Sequence, residues 1–389
     1  MNKRNVRDFD VRGKKVLVRV DFNVPVKNGR VMDDTRIMRT LPTIHYLLQR
    51  GARPILISHL GRPKGAPDLE YAMDPVARWL EKNLGVPVLK LDKAVGPEVE
   101  KALDKWDGEG VVLLENSRFY PGETKNDPEF AAQLASLADL YVDDAFGVAH
   151  RAHATIVGVA KLLPAVAGLL MDEELEHLDK VLHNPKRPFV AIVGGSKVSD
   201  KLRVIESLLE VADTLLIGGA MCFTFFKAEG FETGSSLVED KYLEETARLI
   251  GEAGGKLVLP VDVVAAEKLE ENTPSQVVRV EEFPAGSMGL DIGPQTVEKF
   301  SGYIADAKTI FWNGPMGVFE NPEFAKGTMA MARAVAESHA ISVVGGGESV
   351  EAVKASGFAN KITHISTGGG ASLEFISGAV LPGVEVLTK

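Results

Sequence analysis

A single cysteine, Cys222, leaves no partner for an internal disulfide and cannot anchor a cysteine-rich zinc site. That usage fits a reducing compartment, and a cytoplasmic location is expected. Basic tracts are absent. Lys and Arg number 44 against 54 Asp and Glu, a net charge of −10, which suits neither nucleic acid nor an anionic membrane surface. Long apolar runs are missing too. The most membrane-like stretch, residues 154–171, contains Lys161, Pro164 and two glycines, so a buried helix or strand pair is expected there. The opening MNKRNVRDFD carries charges where a secretory signal needs an apolar segment, and export is not expected. Several signatures are also lacking: no Walker A loop, no G-x-G-x-x-G, no HExxH and no nucleophile elbow.

What is present is a long alternation of apolar runs and amphipathic stretches. The 389 residues, 45% hydrophobic, are enough for two or three domains with cores of their own. Residues 15–20 (KVLVRV), 54–58 (PILIS), 111–114 and 140–142 read as buried strands. Residues 34–50 read as a helix, with Ile37, Leu41, Ile44, Leu47 and Leu48 at helical spacing and Gly51 as terminator. The charged stretch 171–183 predicts a connecting helix that ends at Asn184-Pro185-Lys186-Arg187-Pro188. The alternation then restarts, with strands predicted at 189–193, 214–217, 256–259, 309–312 and 341–344 and a helix at 200–211 that carries Lys201. The fold class expected is α/β: two similar lobes, each a parallel β-sheet flanked by helices in three αβα layers, joined by a helix and hinge.

In parallel sheets, ligands gather beyond the carboxyl ends of the strands. In the first lobe those positions hold Asp21, Phe22 and Asn23 with Arg36 at the next helix start, then His59, Leu60, Gly61 and Arg62, then Arg118, then His150, Arg151 and His153. A lone loop arginine is ordinarily a surface ion-pair partner. Four at equivalent positions predict a site for a small polyanion, since guanidinium forks match phosphate and carboxylate. The second lobe places glycines there instead: Gly194-Gly195-Ser196-Lys197, Gly345-Gly346-Gly347-Glu348-Ser349 and Thr367-Gly368-Gly369-Gly370-Ala371. Amide groups at such turns favour phosphate, and three of them predict a nucleotide site. Asn313 opens another loop that ends in the carboxylate Glu320. The charge follows the same division, +3 over residues 1–165 and −13 over the rest. A dinucleotide-dependent oxidoreductase and a non-catalytic two-lobed anion binder remain as alternatives.

Together, KKVLVRVDFNVP, HLGRP, ENSRF, HRAHA, GGSKVSDK, NGPMGVFE, the GGGES loop and STGGGAS resemble the motifs of phosphoglycerate kinases, in that family's order and along nearly the whole chain. The resemblance implies reversible phosphoryl transfer from 1,3-bisphosphoglycerate to ADP, giving 3-phosphoglycerate and ATP, with Mg²⁺ accompanying the nucleotide. It implies a phosphoglycerate lobe (residues 1–170) using Asp21, Phe22, Asn23, Arg36, His59, Leu60, Gly61, Arg62, Arg118 and Arg151. A connector (171–187) would lead to a nucleotide lobe (188–371) using Lys197, Lys201, Gly218, Gly289, Asn313, Glu320, Gly346, Gly347, Glu348 and Ser349. Residues 372–389 would cross back to the first lobe. Arg36, Lys197, Gly368, Gly369 and Gly370 would meet the transferring group, with lobe closure bending at 171–183 and 367–371. Glu348 stands where the family usually has aspartate near magnesium. A monomer with small-molecule substrates only, without nucleic acid or membrane, is expected.

Overall fold

The computed structural model describes residues 3–270 and 273–387. The chain divides into two compact units, Met1–Glu176 with Val380–Lys389, and His177–Ala379.

In the first unit the strands are β1 (Lys15–Arg19), a hairpin of β2 (Val26–Lys27) and β3 (Arg30–Val31), β4 (Arg53–Ile57), β5 (Val88–Lys90), β6 (Val111–Leu113), β7 (Leu140–Asp143) and β8 (Ala165–Ala167). Six of them form one sheet in the order β5-β6-β4-β1-β7-β8, with every neighbouring pair parallel. Strands covered on both faces can be apolar throughout, which is why KVLVR and RPILI do not alternate. The helix Thr35–Gln49 buries Ile37, Leu41, Ile44 and Leu47 in the core that holds Val16, Val18 and Leu56. Gly51 follows at φ +72°, the left-handed turn that ends such a helix.

The apolar stretch 154–171 is more broken than its hydropathy suggests. It makes a π-helical turn (Ala154–Gly158), a 3₁₀ turn (Val159–Lys161), strand β8 and the start of the helix Leu169–His183. Pro164 cannot continue a helix, and Gly168 sits where a Cβ would lie 2.1 Å from Asp144 Oδ1.

The second unit repeats the plan. Strands β9 (Phe189–Val193), β10 (Thr214–Ile217), β11 (Leu257–Val258), β15 (Thr309–Asn313), β16 (Ile341–Val344) and β17 (His364–Ile365) form a six-stranded parallel sheet, ordered β11-β10-β9-β15-β16-β17. Its core gathers Ile192, Leu216, Trp312 and Val344 with Phe300 and Met331 from the covering helices. Sequence periodicity did not announce the third sheet, where β12 (Asp262–Ala266) lies between β13 (Ser275–Arg279) and β14 (Met288–Ile292), all antiparallel. Lys201 precedes the helix Leu202–Val211 as its N-cap residue and is not carried on it.

Two expected boundaries shift. The division of units falls inside the helix Leu169–His183, between Glu176 and His177. The returning segment begins at Val380 and not at residue 372. Residues 372–379 stay with the second unit because the helix Gly370–Ile376 packs Ser372, Phe375 and Ile376 inward, against the helix Leu202–Val211. Beyond it Leu381, Val384 and Leu387 are buried in the first unit, where Gly383 N donates to Ala149 O at 2.8 Å and Lys3 Nζ to Leu387 O at 2.9 Å. Residues 388 and 389 of that segment lie outside the described residues. Among the described residues, no helix is long and apolar enough to cross a membrane.

The glycine loops at the carboxyl edge of the second unit serve two purposes. Gly314 has φ +93°, and a Cβ on it would lie 2.1 Å from Gly194 O. At Gly347 φ is not in the left-handed range, and a Cβ would meet nothing within 4 Å. Gly314→Ala is therefore expected to destabilise the protein by about 1–3 kcal/mol through strain and loop displacement. Gly347→Ala should leave denaturant midpoints unchanged or slightly raised. Equal losses in urea titrations of the two variants would contradict this division.

Candidate functional site

Because all six strands of the first unit run the same way, the loops after β6, β4, β1 and β7 emerge side by side on one edge. Hydrogen bonds stitch them together. Phe22 N donates to Ser58 Oγ (2.9 Å), Gly61 N to Asn23 Oδ1 (2.9 Å), and Asn116 Nδ2 to Leu60 O (2.7 Å). Arg118 Nη1 donates to Gly61 O (2.7 Å), and Arg36 Nη1 to the buried Asp21 Oδ2 (2.7 Å). Phe22 and Leu60 are themselves core residues, so their contribution is to fix the loops. Gly61 is at φ +62° with the Tyr71 ring where a Cβ would be, so a side chain here would be strained and would have to displace that ring. Arg62 and Arg151 are exposed at the rim.

The predicted cations converge, and their proton affinities record it. Arg118 is lowered first by burial, then by Arg19, Arg151 and Arg62. His153 falls to about 4, again through burial and then Arg118, Arg19 and Arg151. His59, almost fully buried, is held well below the usual histidine range by burial, then by Arg19, Arg118, Arg36 and His153. Carboxylates meet this charge only in part. Asp21 takes Arg36, while Glu123 accepts from Thr155 N and Oγ1 (3.0 and 2.6 Å) and stands 3.8 Å from His153 Nδ1. Such an excess of fixed donors is a seat for a polyanion.

Sequence reading missed the two groups beneath this surface. Arg19, the arginine inside KVLVRV, is 1% exposed and lies beside His59. A cation in a strand buried on both faces is the signal that could have found it. Asp143, its register partner on β7, is fully buried and pushed up to about 7, burial outweighing the bond from Ala145 N and the attraction of Arg19.

In the second unit, the loops after β10, β9, β15, β16 and β17 are likewise neighbours on one edge. Asn313 and Ser349 spend their side chains on joining them. Asn313 Oδ1 accepts from Lys201 Nζ (2.5 Å), Asn313 Nδ2 donates to Gly345 O (2.6 Å), and Ser349 Oγ accepts from Gly314 N (2.5 Å). Burial lowers the Lys201 ammonium, against the pull of Glu348 and Asp200. Gly218 is packed on Met316, and Gly289, on β14, is packed on the Phe223 ring. Their glycine identity thus has a packing reason before any ligand is considered. Gly346 caps the helix Gly347–Ala355 at φ +93°, and Gly369 caps Gly370–Ile376 with open space where its Cβ would be. Gly368 N already donates to Ser366 Oγ (3.1 Å), so its amide is occupied and Gly369 and Gly370 are the better candidates. Lys197, Glu320, Gly347 and Glu348 are exposed.

A single exposed carboxylate in the first turn of a helix, close enough to Lys201 to influence it, fits a magnesium ion that takes its other ligands from nucleotide phosphates and water. Glu348 is that residue.

The family model for phosphoglycerate kinase matches residues 6–379. A phosphoglycerate kinase of Rubrobacter xylanophilus is 68% identical over 389 residues, spanning 100% of this chain and 99% of that protein. One from Moorella thermoacetica is 56% identical over 392 residues, spanning 100% of both. The structure of phosphoglycerate kinase from Coxiella burnetii superposes with a TM-score of 0.91 at 40% identity, covering 99% of this chain and 98% of that one. Matched along nearly its whole length in sequence and in fold, the chain belongs to the phosphoglycerate kinase family.

Proposed function

We propose that the chain transfers a phosphoryl group reversibly between 1,3-bisphosphoglycerate and ADP, with the first unit holding the three-carbon acid and the second holding the magnesium nucleotide. The observation that carries the first assignment is the crowding of Arg19, Arg36, Arg62, Arg118 and Arg151 around His59 and His153, with too few carboxylates to balance the guanidinium charge. A phosphate and a carboxyl group supply the missing charge. The glycine turns with Lys197 and Lys201 support the second assignment. Family membership leaves no support for a dinucleotide oxidoreductase or a non-catalytic binder.

In the forward direction the bond between phosphorus and the acyl oxygen breaks, and a bond from phosphorus to a terminal oxygen of ADP forms. The leaving carboxylate is stable as an anion, and in reverse it attacks already ionised. No proton has to move, so no general base is required. Catalysis then consists of positioning and of matching charge on the transferring group. Arg36, steadied through one nitrogen by Asp21, offers its remaining donors from the first unit. Lys197 and the amides of Gly369 and Gly370 serve from the second. Glu348 would help to hold a magnesium ion brought by the nucleotide, which when bound would supply further neutralisation of phosphate charge. On this reading the enzyme works as a cytoplasmic monomer. Transfer between substrates held by different units calls for hinge bending during turnover, at the helix Leu169–His183 and near residues 367–371.

The direct test is acyl-phosphate formation from ATP and 3-phosphoglycerate, coupled to NADH oxidation through a dehydrogenase, with and without magnesium; no oxidation with all components present would refute the activity. Arg36→Ala is expected to lower kcat by at least ~10²-fold, the scale of losing one transition-state donor. An unchanged kcat removes Arg36 from that role. Glu348→Ala should weaken magnesium-nucleotide binding in calorimetry and leave 3-phosphoglycerate binding intact, whereas equal losses at both ligands contradict the metal assignment. Small-angle scattering should register compaction when both substrates are bound; an unchanged radius of gyration counts against closure.

A further inference from the structure

The structure assigns Arg19 a role beneath the anion site: we infer that it holds His59 in the neutral tautomer with hydrogen on Nε2, so that His59 acts as a fixed hydrogen-bond donor and not as a cation. The donor role of His59 toward ligand rests on the phosphoglycerate reading above; the tautomer does not.

The geometry leaves one choice. Arg19 Nη2 lies 3.1 Å from His59 Nδ1, and both side chains are buried, at 1% and 2% exposure. A guanidinium has five N–H donors, no acceptor, and does not lose its proton in a protein. Nδ1 must therefore offer its lone pair. A hydrogen on Nδ1 would point at another N–H, leaving two buried donors opposed. With Nδ1 accepting, the ring's one hydrogen sits on Nε2.

Arg19 is itself held from several sides. Its Nη1 donates to Val20 O (2.5 Å), with Ser58 Oγ at 3.4 Å and Ile57 O at 3.5 Å, and Asp143 is its register partner on β7. The guanidinium cannot turn away without abandoning these acceptors inside the sheet. The groups that act on His59 are the cations Arg19 on β1, Arg36 on the helix Thr35–Gln49 and Arg118 after β6, with the titratable His153 after β7, itself lowered to about 4 by burial and then by Arg118, Arg19 and Arg151. All of them oppose a second proton on the ring, which agrees with its lowered proton affinity. A neutral donor has a functional advantage in this place. It contributes direction to a site already rich in charge, and its donor does not change with pH over the range where a free histidine titrates.

The test is nitrogen-15 NMR of histidine-labelled, ligand-free protein between about pH 5 and 8. His59 should show Nδ1 at the shift of an unprotonated ring nitrogen and Nε2 at that of a protonated one, with no titration. A protonated Nδ1, or a titration of His59 inside that range, overturns the inference. Arg19→Gln, whose amide can donate or accept, should release the ring to mixed tautomers and raise its proton affinity; an unchanged Nε2–H ring in a folded Arg19→Gln variant shows that Arg19 does not set it. If that variant does not fold, the wild-type spectrum still decides. For the ligand half, His59→Gln places an amide nitrogen near the Nε2 position and His59→Asn near Nδ1. His59→Gln should retain most 3-phosphoglycerate affinity, while His59→Asn and His59→Ala each lose about tenfold, the scale of one hydrogen bond to a charged group. Equal retention by Gln and Asn would overturn the Nε2 donor. Unchanged affinity in His59→Ala, beside the expected spectrum, removes His59 from the site while Arg19's hold on the tautomer stands.

Discussion

Concentrated positive charge at the carboxyl edge of the first sheet is the constraint around which that unit is built. Bringing guanidinium groups this close is unfavourable in a partly dry site, and burial first, then this mutual repulsion, lowers the proton affinities of His59, His153 and Arg118. The fold withstands the repulsion because the loops are tied to one another by backbone and side-chain bonds: Asn23 to Gly61, Asn116 to Leu60, Arg118 to Gly61. Neutralisation is left incomplete, and that incompleteness is what makes an anionic ligand welcome.

Beneath the exposed donors lies a second layer whose role is orientation. Arg19 has no access to solvent worth mentioning, and its bonds run to carbonyls of the sheet and to the His59 ring. Asp143 is close enough to feel it, and burial outweighs that attraction and raises the carboxyl to about 7. Glu123 performs a different task, capturing Thr155 and facing His153 from below. Charge in this unit is thus graded: permanent cations at the surface, held in register by buried groups that individually give up little of it.

The carboxyl edge of the second unit is lined by glycine loops, with Lys197 and Lys201 beside them. Backbone turns take the place of side chains, and the glycines that line them divide by environment. Gly194, Gly218 and Gly314 are glycine because neighbouring loops or Met316 occupy the space of a side chain. Gly347 and Gly369 border open space. Asp291, pushed up to about 7 by burial, accepts from Gly327 N and Ile292 N, and it ties the antiparallel sheet to the helix that follows the Asn313 loop. That sheet reached the sequence reading only as Gly289.

Much of the architecture was legible because parallel strands buried on both faces write themselves as unbroken apolar runs, and FVAIV and ISVV gave their bounds to the residue. The motifs after those strands were legible too, since topology alone places such loops on one edge. Strands β12 to β14 were not, for SQVVR is largely exposed and alternates weakly, and its pairing is decided by contacts distant in sequence. Local pattern also could not say that Arg19 would face inward to a histidine, that Asn313 and Ser349 would be spent on loop-to-loop bonds, or that the chain would return at Val380 and not eight residues earlier. The residue types and their order along the chain determined which chemistry was possible. Which atoms remain open to perform it was decided only when the loops packed, because a donor's availability depends on what its neighbours in space have already accepted.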